Sequence, residues 1–438
     1  MHKFKATYLK KALPAVKKET AAVEEIVRTI LAEIEQEGDE AVRRYAAKFD
    51  KWTGKDFRVS MDEVRRASAA LPETFKEDFR FSYERVTEFA RRQRESMTAF
   101  ETEIEPGIWL GQKLIPVENV GCYVPGGKYP LVAAAIMSVG TARVAGVTKI
   151  VACAPPHRGE GIFAPQLYAL HAAGSDEIYV LGGVQALGAM AYGCLGMTPV
   201  DFLTGPGNAF VAEAKRQLFG KVGIDLLAGP TEIMIIADET ADPALVATDL
   251  LGQAEHGPDS PAWLVTTSSA LGRAVLVEID KQLRTLPTAQ IASLAWRDHG
   301  EVIVVPDADA AIEISDLYAP EHLEVMTGDD GYYLNRLRNY GSLFLGEEST
   351  VAYGDKGIGT NHTLPTGRAA RYTGGLWAGK FIKTVTYQRL SREASHNLAP
   401  AMAHLCRVEG LLAHEITAEV RRSRFSTAPG ADQKNSAN

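Results

Sequence analysis

Residues 149–183 read KIVACAPPHRGEGIFAPQLYALHAAGSDEIYVLGG. A short apolar run closed by two prolines is followed by a helical stretch at 164–173 and then by a second apolar run ending on paired glycines. Strands covered on both faces read as continuous apolar sequence, and two of them joined by a helix make a parallel crossover unit. The texture recurs outward in both directions. IWLGQKLIPV lies upstream at 108–117, and VDFLTGPG, a helical stretch at 208–218, IMIIAD, AWLVTTS, EVIVVPD and SLFLGEE lie downstream. This alternation predicts an α/β fold with parallel, doubly wound sheets. The interval 108–345 is too long for one mononucleotide-binding half, so two lobes with a cleft between them are expected.

The flanks read as helical. Val23, Ile26, Val27, Ile30 and Leu31 recur at three- and four-residue steps between Thr20 and about Lys48, with Gly38 interrupting. Ser60 followed by Glu63 matches a capping box for a helix to about Ala69, and Pro72 can start the next, running towards Ser96. Past Gly375 helix is expected again, ending at 409–422. The tail from 426, STAPGADQKNSAN, is polar and small and reads as disordered. No internal repeat is visible.

Composition narrows the function. With 47 Lys and Arg against 55 Asp and Glu the net charge is −8, which repels phosphate backbones and argues against nucleic acid. The longest largely apolar stretch, 131–139, falls far short of the roughly 20 residues that cross a bilayer. The N-terminus lacks a continuous apolar core or a cleavage pattern, so a cytoplasmic protein with no membrane partner is expected. The 4 Cys form no CxxC pair, so any metal must be held by nitrogen and oxygen ligands.

Four segments concentrate acid–base and ligand groups. Gln253 and His256 in GQAEHGPDS stand at i and i+3 and could share a metal, or form a polar helix end stopped by Gly257-Pro258. Glu321-His322 in YAPEHLEV pairs an acid with an imidazole, as general acid–base work requires, though such dipeptides also occur on solvated surfaces. Asp355 is expected in a Gly-rich loop with Asn361 and His362 close behind, where turn formation is the plain alternative. Glu409 and His414, five apart, are expected to point in neighbouring directions on one helix. Three glycine turns, YVPGGKYP, LGGVQAL and TGPGNAF, adjoin strands and open helices where backbone N–H groups meet anions. None carries the GxGxxG dinucleotide fingerprint, so turn chemistry alone is as good an account of them.

Taken together, YVPGG, GGVQA, GPGNAF, AGPTE, LLGQAEHGPDS, APEHLE, GDKGIGTNHTLPT and the terminal ExxxxH resemble the histidinol dehydrogenase family over about residues 20–422. The resemblance implies an intertwined homodimer with two incomplete Rossmann-like lobes, parallel sheets and small helical N- and C-terminal domains. It places an N-terminal arm at 1–23, a zinc-side lobe at 24–122 plus 232–375, an NAD-side lobe at 123–231 and a C-terminal domain at 376–425. Carried over by motif, one Zn²⁺ falls on Gln253, His256, Asp355 and His414, the last reaching the site of the other subunit. The acid–base pair falls on Glu321 and His322, substrate-side polar positions on Thr231 and Glu409, NAD contacts on Tyr123, Gln185 and Asn208, and His362 on the pocket wall.

The implied chemistry suits these residue types. A zinc held by two imidazoles, an amide oxygen and a carboxylate keeps net positive charge and can orient an alcohol oxygen. His322 would take the hydroxyl proton as hydride leaves for NAD, and Glu321 would activate the water that hydrates the aldehyde before a second oxidation. A zinc hydrolase would use the same acid and metal on water without an NAD cleft.

The chain departs from the family's histidinol oxidisers near the metal loop. They carry an acidic residue four before the loop's Asp and an aromatic just after it; here these are Val351 and Lys356. Where ProSerSer is usual the chain has Val132-Ala133-Ala134, and Arg368 replaces a small residue. Losing anionic and hydroxyl partners while gaining cations disfavours a cationic substrate and points to a small anionic alcohol bound near Lys356, with Arg368 as a second candidate. PGGKYP, LWAGKF and TVTYQ look like the sulfopropanediol dehydrogenase branch, which converts 2,3-dihydroxypropane-1-sulfonate to sulfolactate. Histidinol oxidation to histidine is the alternative.

Overall fold

A computed structural model of the chain describes residues 6–14, 20–126 and 129–426. The tail expectation, save Ser426, lies outside the described residues, as do Gly127-Lys128 of the first glycine turn and residues 1–5 and 15–19 of the N-terminal arm. In chain order the strands are β1 (Thr7–Lys10), β2 (Phe100–Glu105), β3 (Ile108–Pro116), β4 (Asn119–Tyr123), β5 (Lys149–Ala154), β6 (Glu177–Val180) and β7 (Phe202–Thr204). They continue as β8 (Gly223–Ile224), β9 (Ile233–Ala237), β10 (Ala262–Thr266), β11 (Glu301–Val304), β12 (His322–Met326), β13 (Ser342–Leu345) and β14 (Ile382–Leu390).

The chain divides into two units, residues 1–94 with 116–381 and residues 95–115 with 382–438. In the first, a six-stranded sheet runs β1-β11-β10-β9-β12-β13 and a five-stranded sheet runs β6-β5-β4-β7-β8. All their pairings are parallel except that of β1 with β11. The central strand β9, IMIIA, is buried along its whole length, because helices cover both faces of a parallel sheet. Each such aliphatic side chain contributes roughly 1.5–3 kcal/mol by leaving water.

Several expectations about organisation are corrected. Residues 7–10 form a strand rather than part of a helical arm, since their backbone pairs with β11. The helix Thr20–Glu37 packs through Val27, Ile30, Leu31 and Ile34 against Leu187 and Met190 over the five-stranded sheet, not in the zinc-side lobe. The following helices, including the capping-box helix Met61–Ala69, join that same lobe, where Phe79 meets Tyr168 edge to face. The run at 108–117 belongs to no parallel sheet: β3 pairs antiparallel with β2 in a three-stranded sheet, β14-β3-β2, of the second unit.

The return to helix past Gly375 is delayed by β14, nine residues long. Two helices, Arg392–Val408 and Leu412–Arg424, then complete the second unit. Gly410 at φ 77 separates them. That left-handed turn suits glycine and ends the first helix, so Glu409 and His414 do not share one helix as expected. Among the described residues no helix is long and apolar enough to cross a membrane.

Candidate active site

β12 opens on His322, with Glu321 immediately before it, between β9 and β13 and level with Ile233 at the amino end of β9. The chain enters it through Ala319 at φ 48, a left-handed conformation that costs a non-glycine residue about 1–3 kcal/mol and recurs at functional sites. Gln253 sits in the last turn of the helix Pro243–Ala254, which Asp242 caps and Pro243 starts. The His256 N–H donates to the Gln253 carbonyl at 3.2 Å, keeping both residues on the same turn. Asp355 and Lys356 lie in a short helix, Val351–Lys356, not in the loop expected for them; Gly357 stops it.

These elements surround a cavity of about 580 Å³ whose wall includes Thr231, His256, Glu321, His322, Asp355 and His362. A wider open groove of about 750 Å³ runs along the helix Glu73–Glu95 and holds Arg91 and Arg92 paired with Glu88, with no acid–base set.

The hydrogen bonds assign the imidazole tautomer. His322 Nδ1 lies 2.9 Å from the Glu232 carbonyl oxygen, which can only accept, so Nδ1 carries the proton. Nε2 then holds the lone pair; it is buried and has no hydrogen-bond partner among the described residues. Burial also holds the imidazolium below its ordinary value, keeping the ring neutral and basic. His362 Nδ1 likewise donates to the Asp355 carbonyl oxygen at 2.8 Å.

Glu321 is 6% exposed. Burial drives its carboxyl well above the ordinary range, opposed by the Thr231 hydroxyl and the Glu232 N–H, which both donate to it. Gln253 Nε2 donates to the Thr231 hydroxyl oxygen, leaving the amide oxygen available. The Asp355 carboxylate faces His322 Nε2 and His362 Nδ1 at 3.9 Å and Lys356 Nζ at 4.0 Å, too far for a hydrogen bond. The Asp355 carboxylate and the His256 imidazole line the cavity and the Gln253 amide oxygen is buried without a recorded donor, nitrogen and oxygen groups of the kinds zinc accepts, while no cluster of three or more His, Cys, Asp or Glu is gathered among the described residues. Glu409 and His414 belong to the second unit, both exposed, with His414 beside Ser395, Leu398 and Arg421.

The three expected NAD contacts separate. Tyr123 and Asn208 line the cavity. Asn208 also caps the helix Ala209–Leu218, its Oδ1 accepting from the Phe210 and Val211 N–H groups. Gln185 does not line it: its side chain is buried and donates to Asp50 Oδ2 at 2.9 Å. The same Asp50 oxygen accepts from Gly182 N–H at 2.9 Å, so a carboxylate of the chain itself occupies the start of the helix Gly183–Tyr192. No sequence signal marked Asp50. In the TGPGN turn Gly205 stands at φ 127, and a Cβ there would lie 2.0 Å from the Tyr123 carbonyl oxygen, so only glycine fits.

Among the departures, Val132, Ala133 and Lys356 line the cavity. Arg368 does not; its Nε donates to the Leu317 carbonyl oxygen at 2.9 Å. Glu232 was missed although it stands inside the AGPTE string: its carbonyl sets the His322 tautomer and its Oε1 accepts from Gly367 N–H.

Comparison with known proteins places this geometry in context. Residues 14–422 match the model of the histidinol dehydrogenase family. A histidinol dehydrogenase homolog of Shouchella clausii is 52% identical over 96% of this chain and 99% of its own length. A sulfopropanediol 3-dehydrogenase of Ruegeria pomeroyi is 50% identical over 95% and 96%. The crystal structure of histidinol dehydrogenase from Elizabethkingia anophelis superposes with a TM-score of 0.89 at 35% identity, covering 95% of each chain.

Proposed function

The chain belongs to the histidinol dehydrogenase family, and from that premise we propose that it oxidises a small anionic primary alcohol to its acid through a bound aldehyde, best fitted by 2,3-dihydroxypropane-1-sulfonate going to sulfolactate. The observation that carries the substrate choice is the cavity wall. Lys356 joins it where the family's histidinol oxidisers have an aromatic, and Val132 and Ala133 replace hydroxyl-bearing or rigid residues; Val351, which removes a carboxylate, is buried in the core and not on the wall. An ammonium of 68% side-chain exposure at the cavity edge can meet a sulfonate while still hydrated on its outer side. The match to a sulfopropanediol 3-dehydrogenase supports the same choice.

Zinc held by Gln253, His256, Asp355 and His414 of the partner subunit would polarise and orient the alcohol oxygen. His322 Nε2, neutral and unpartnered, accepts the hydroxyl proton as hydride leaves the carbon for NAD. The aldehyde has no further hydroxyl hydrogen to release until water adds. Glu321, with Oε2 held by Thr231 and Glu232, takes a proton from that water through its other oxygen as the hydroxyl adds to the carbonyl carbon, and the proton held by His322 passes to the carbonyl oxygen, giving the diol from which the second hydride leaves. Each turnover thus reduces two NAD and releases the acid. All on the cavity wall, Tyr123 and Asn208 are assigned to the nucleotide, and Thr231 and His362 to the substrate side.

The reading includes a homodimer, in which Glu409 and His414 complete the neighbouring site. Its support is the helix Leu412–Arg424, which has no buried residue and exposes Leu412, Ile416 and Val420. A single chain leaves that apolar face in water.

The test is an NADH-formation assay with sulfopropanediol and histidinol side by side. Turnover of the sulfonate with two NADH per acid is expected. Efficient histidinol oxidation without turnover of any sulfonated or carboxylated alcohol would place the chain among the histidinol oxidisers instead.

A further inference from the structure

Beneath the acid–base pair lies a second set of contacts that repeats the first one layer down. His322 and Glu324 are two apart on β12 and so share a face; Asp249 and Gln253 are four apart on the helix Pro243–Ala254; Val351 and Asp355 are four apart on the helix Val351–Lys356. The upper layer joins Gln253, His322 and Asp355, with Gln253 Nε2 3.4 Å from His322 Nδ1 and His322 Nε2 3.9 Å from Asp355 Oδ1. The lower layer joins Asp249, Glu324 and the Val351 N–H on the same three elements. Glu324 Oε1 accepts from the Val351 N–H at 3.0 Å, and the Asp249 carboxyl, which meets the preceding residue Thr350, lies beside that of Glu324. Asp249 Oδ1 in turn accepts from the Thr350 hydroxyl at 3.1 Å.

The arrangement inverts ordinary helix capping. Thr350 is the N-cap of its helix, yet its side chain makes no cap bond and turns to Asp249 instead. The capping acceptor comes from β12, as the Glu324 carboxyl. Glu324 is 0% exposed, and its Oε2 meets no N–H or O–H donor among the described residues. Two carboxyl groups in contact at such a position repel unless a proton lies between them, and burial together with the Asp249 charge drives the Glu324 carboxyl well above the ordinary range. A protonated carboxyl supplies the donor that Oε2 lacks. The bridge is then Asp249···H···Glu324 continuing to the Val351 N–H, a path through all three elements that carry the site.

We propose that Asp249 and Glu324 are positioning residues whose carboxyl–carboxylate bridge fixes the spacing of the helix bearing Gln253, the strand bearing His322 and the helix bearing Asp355. Neither touches substrate or metal. Their effect reaches the reaction through the separation of Gln253 and Asp355, the two ligands that ride on the bridged helices, and through the aim of His322. The inference rests on the zinc reading above, because it is the metal that reports ligand spacing most directly.

The experiment measures zinc affinity by competition with a chromophoric chelator, and the visible spectrum of the cobalt-substituted protein, for the full chain and for Glu324→Ala, Glu324→Gln, Asp249→Ala and Asp249→Asn. Removing a partner that orients metal ligands typically weakens binding roughly ten- to hundredfold, and that loss is expected in both alanine variants together with an altered cobalt spectrum. Glu324→Gln keeps an acceptor for Val351 and gains an N–H for Asp249, and Asp249→Asn offers its own N–H to Glu324. Both amides are expected to stay within about threefold of the parent and to keep its cobalt spectrum, a rescue that loss of fold would not produce. Should Glu324→Ala not fold, the half-buried Asp249 carries the test, and Asp249→Ala must show the loss that Asp249→Asn restores. Alanine variants that bind zinc like the parent, or amide variants no better than alanine, overturn the bridge. A parent chain that takes up no zinc overturns the metal reading itself.

Discussion

The Thr231 hydroxyl donates to Glu321 Oε2 across 2.5 Å, and the Glu232 N–H meets the same oxygen at 2.9 Å. One oxygen of the carboxyl is thereby saturated by two donors that favour the ionised form against the effect of burial, and the other is left to exchange protons with the cavity. Glu321→Gln keeps an oxygen for those two donors but cannot take a proton from water. Under the proposed reaction, release of the second NADH equivalent falls roughly a hundredfold more than release of the first, the lower part of the effect expected for a lost general base. Single-turnover counting of both equivalents checks this; equal losses in the two steps would assign Glu321 to neither alone.

Lys356 governs the charge of the cavity edge. Losing one charge-assisted contact costs about 1.5–3 kcal/mol, roughly ten- to hundredfold in kcat/KM. Lys356→Ala shows that loss with sulfopropanediol and little change with a neutral diol, measured as initial rates of NADH formation. A uniform loss over both alcohols would remove Lys356 from anion recognition.

His256 supplies the one imidazole that the first unit offers the proposed metal. His256→Ala loses stoichiometric zinc, read by elemental analysis of the purified protein, and chelator treatment of the parent abolishes turnover until zinc is restored. Full activity in a zinc-free preparation would be incompatible with this site.

Glu232 titrates abnormally because burial pushes its carboxyl from 4.5 to about 7, against the pull of the Gly367 N–H. The unfolded chain ionises near 4.5 and the folded one only near 7, so the folded state holds the extra proton in between. Stability from this group is therefore fully present at low pH, declines as pH rises through the window from about 4.5 to 7, and levels off above it. Urea titrations across that window give a shallower decline for Glu232→Gln than for the parent. Parallel curves would mean the group ionises normally in the folded chain.

Lys215 and Asp225 form a buried ion pair under the TGPGN turn, with Lys215 Nζ also donating to the Gly205 carbonyl oxygen at 3.0 Å. Asp225 further accepts from Thr204 Oγ1 and from the Gly205 and Leu226 N–H groups. Lys215→Met strands that carboxylate in the interior and costs about 3–5 kcal/mol of unfolding free energy in urea. A loss below about 1 kcal/mol would show that the three remaining donors suffice.

Much of this architecture is legible in the amino-acid sequence. Apolar runs such as IMIIAD and EVIVVPD became buried parallel strands because a sheet covered on both faces has no polar side to reveal. The capping box at Ser60 and Glu63 formed as read, both bonds present, since it depends only on residues three apart. IWLGQKLIPV was misplaced because β propensity does not say which sheet a strand joins, and its partners β2 and β14 lie on either side of the α/β region. β12 went unnoticed as a strand since His322 and Glu324 break its apolar run, and those two residues are polar there because they serve the site and the layer below it. The motifs located Glu321, His322 and Asp355, but the partners that tune them were silent. Asp50, Glu232 and Asp249 act through contacts made by folding, in hydrogen bonds that span 90 to 135 residues of sequence, so spacing rules could not reach them.

The strand Thr7–Lys10 lies antiparallel on the rim of the six-stranded sheet, with a register shift between Tyr8 and Lys10, and Lys10 Nζ donates to the Gly300 carbonyl oxygen at 2.6 Å. Four residues thus act as a stopper. Without them the apolar β11 would offer a free row of backbone groups to any other extended chain, the usual starting point for stacking of one molecule on the next. The irregular, lysine-bearing ribbon that replaces it is a poor template for further addition. Thr7–Lys10 is therefore a guard on solubility as well as a part of the fold, and trimming it for expression would exchange a tidy edge for a sticky one.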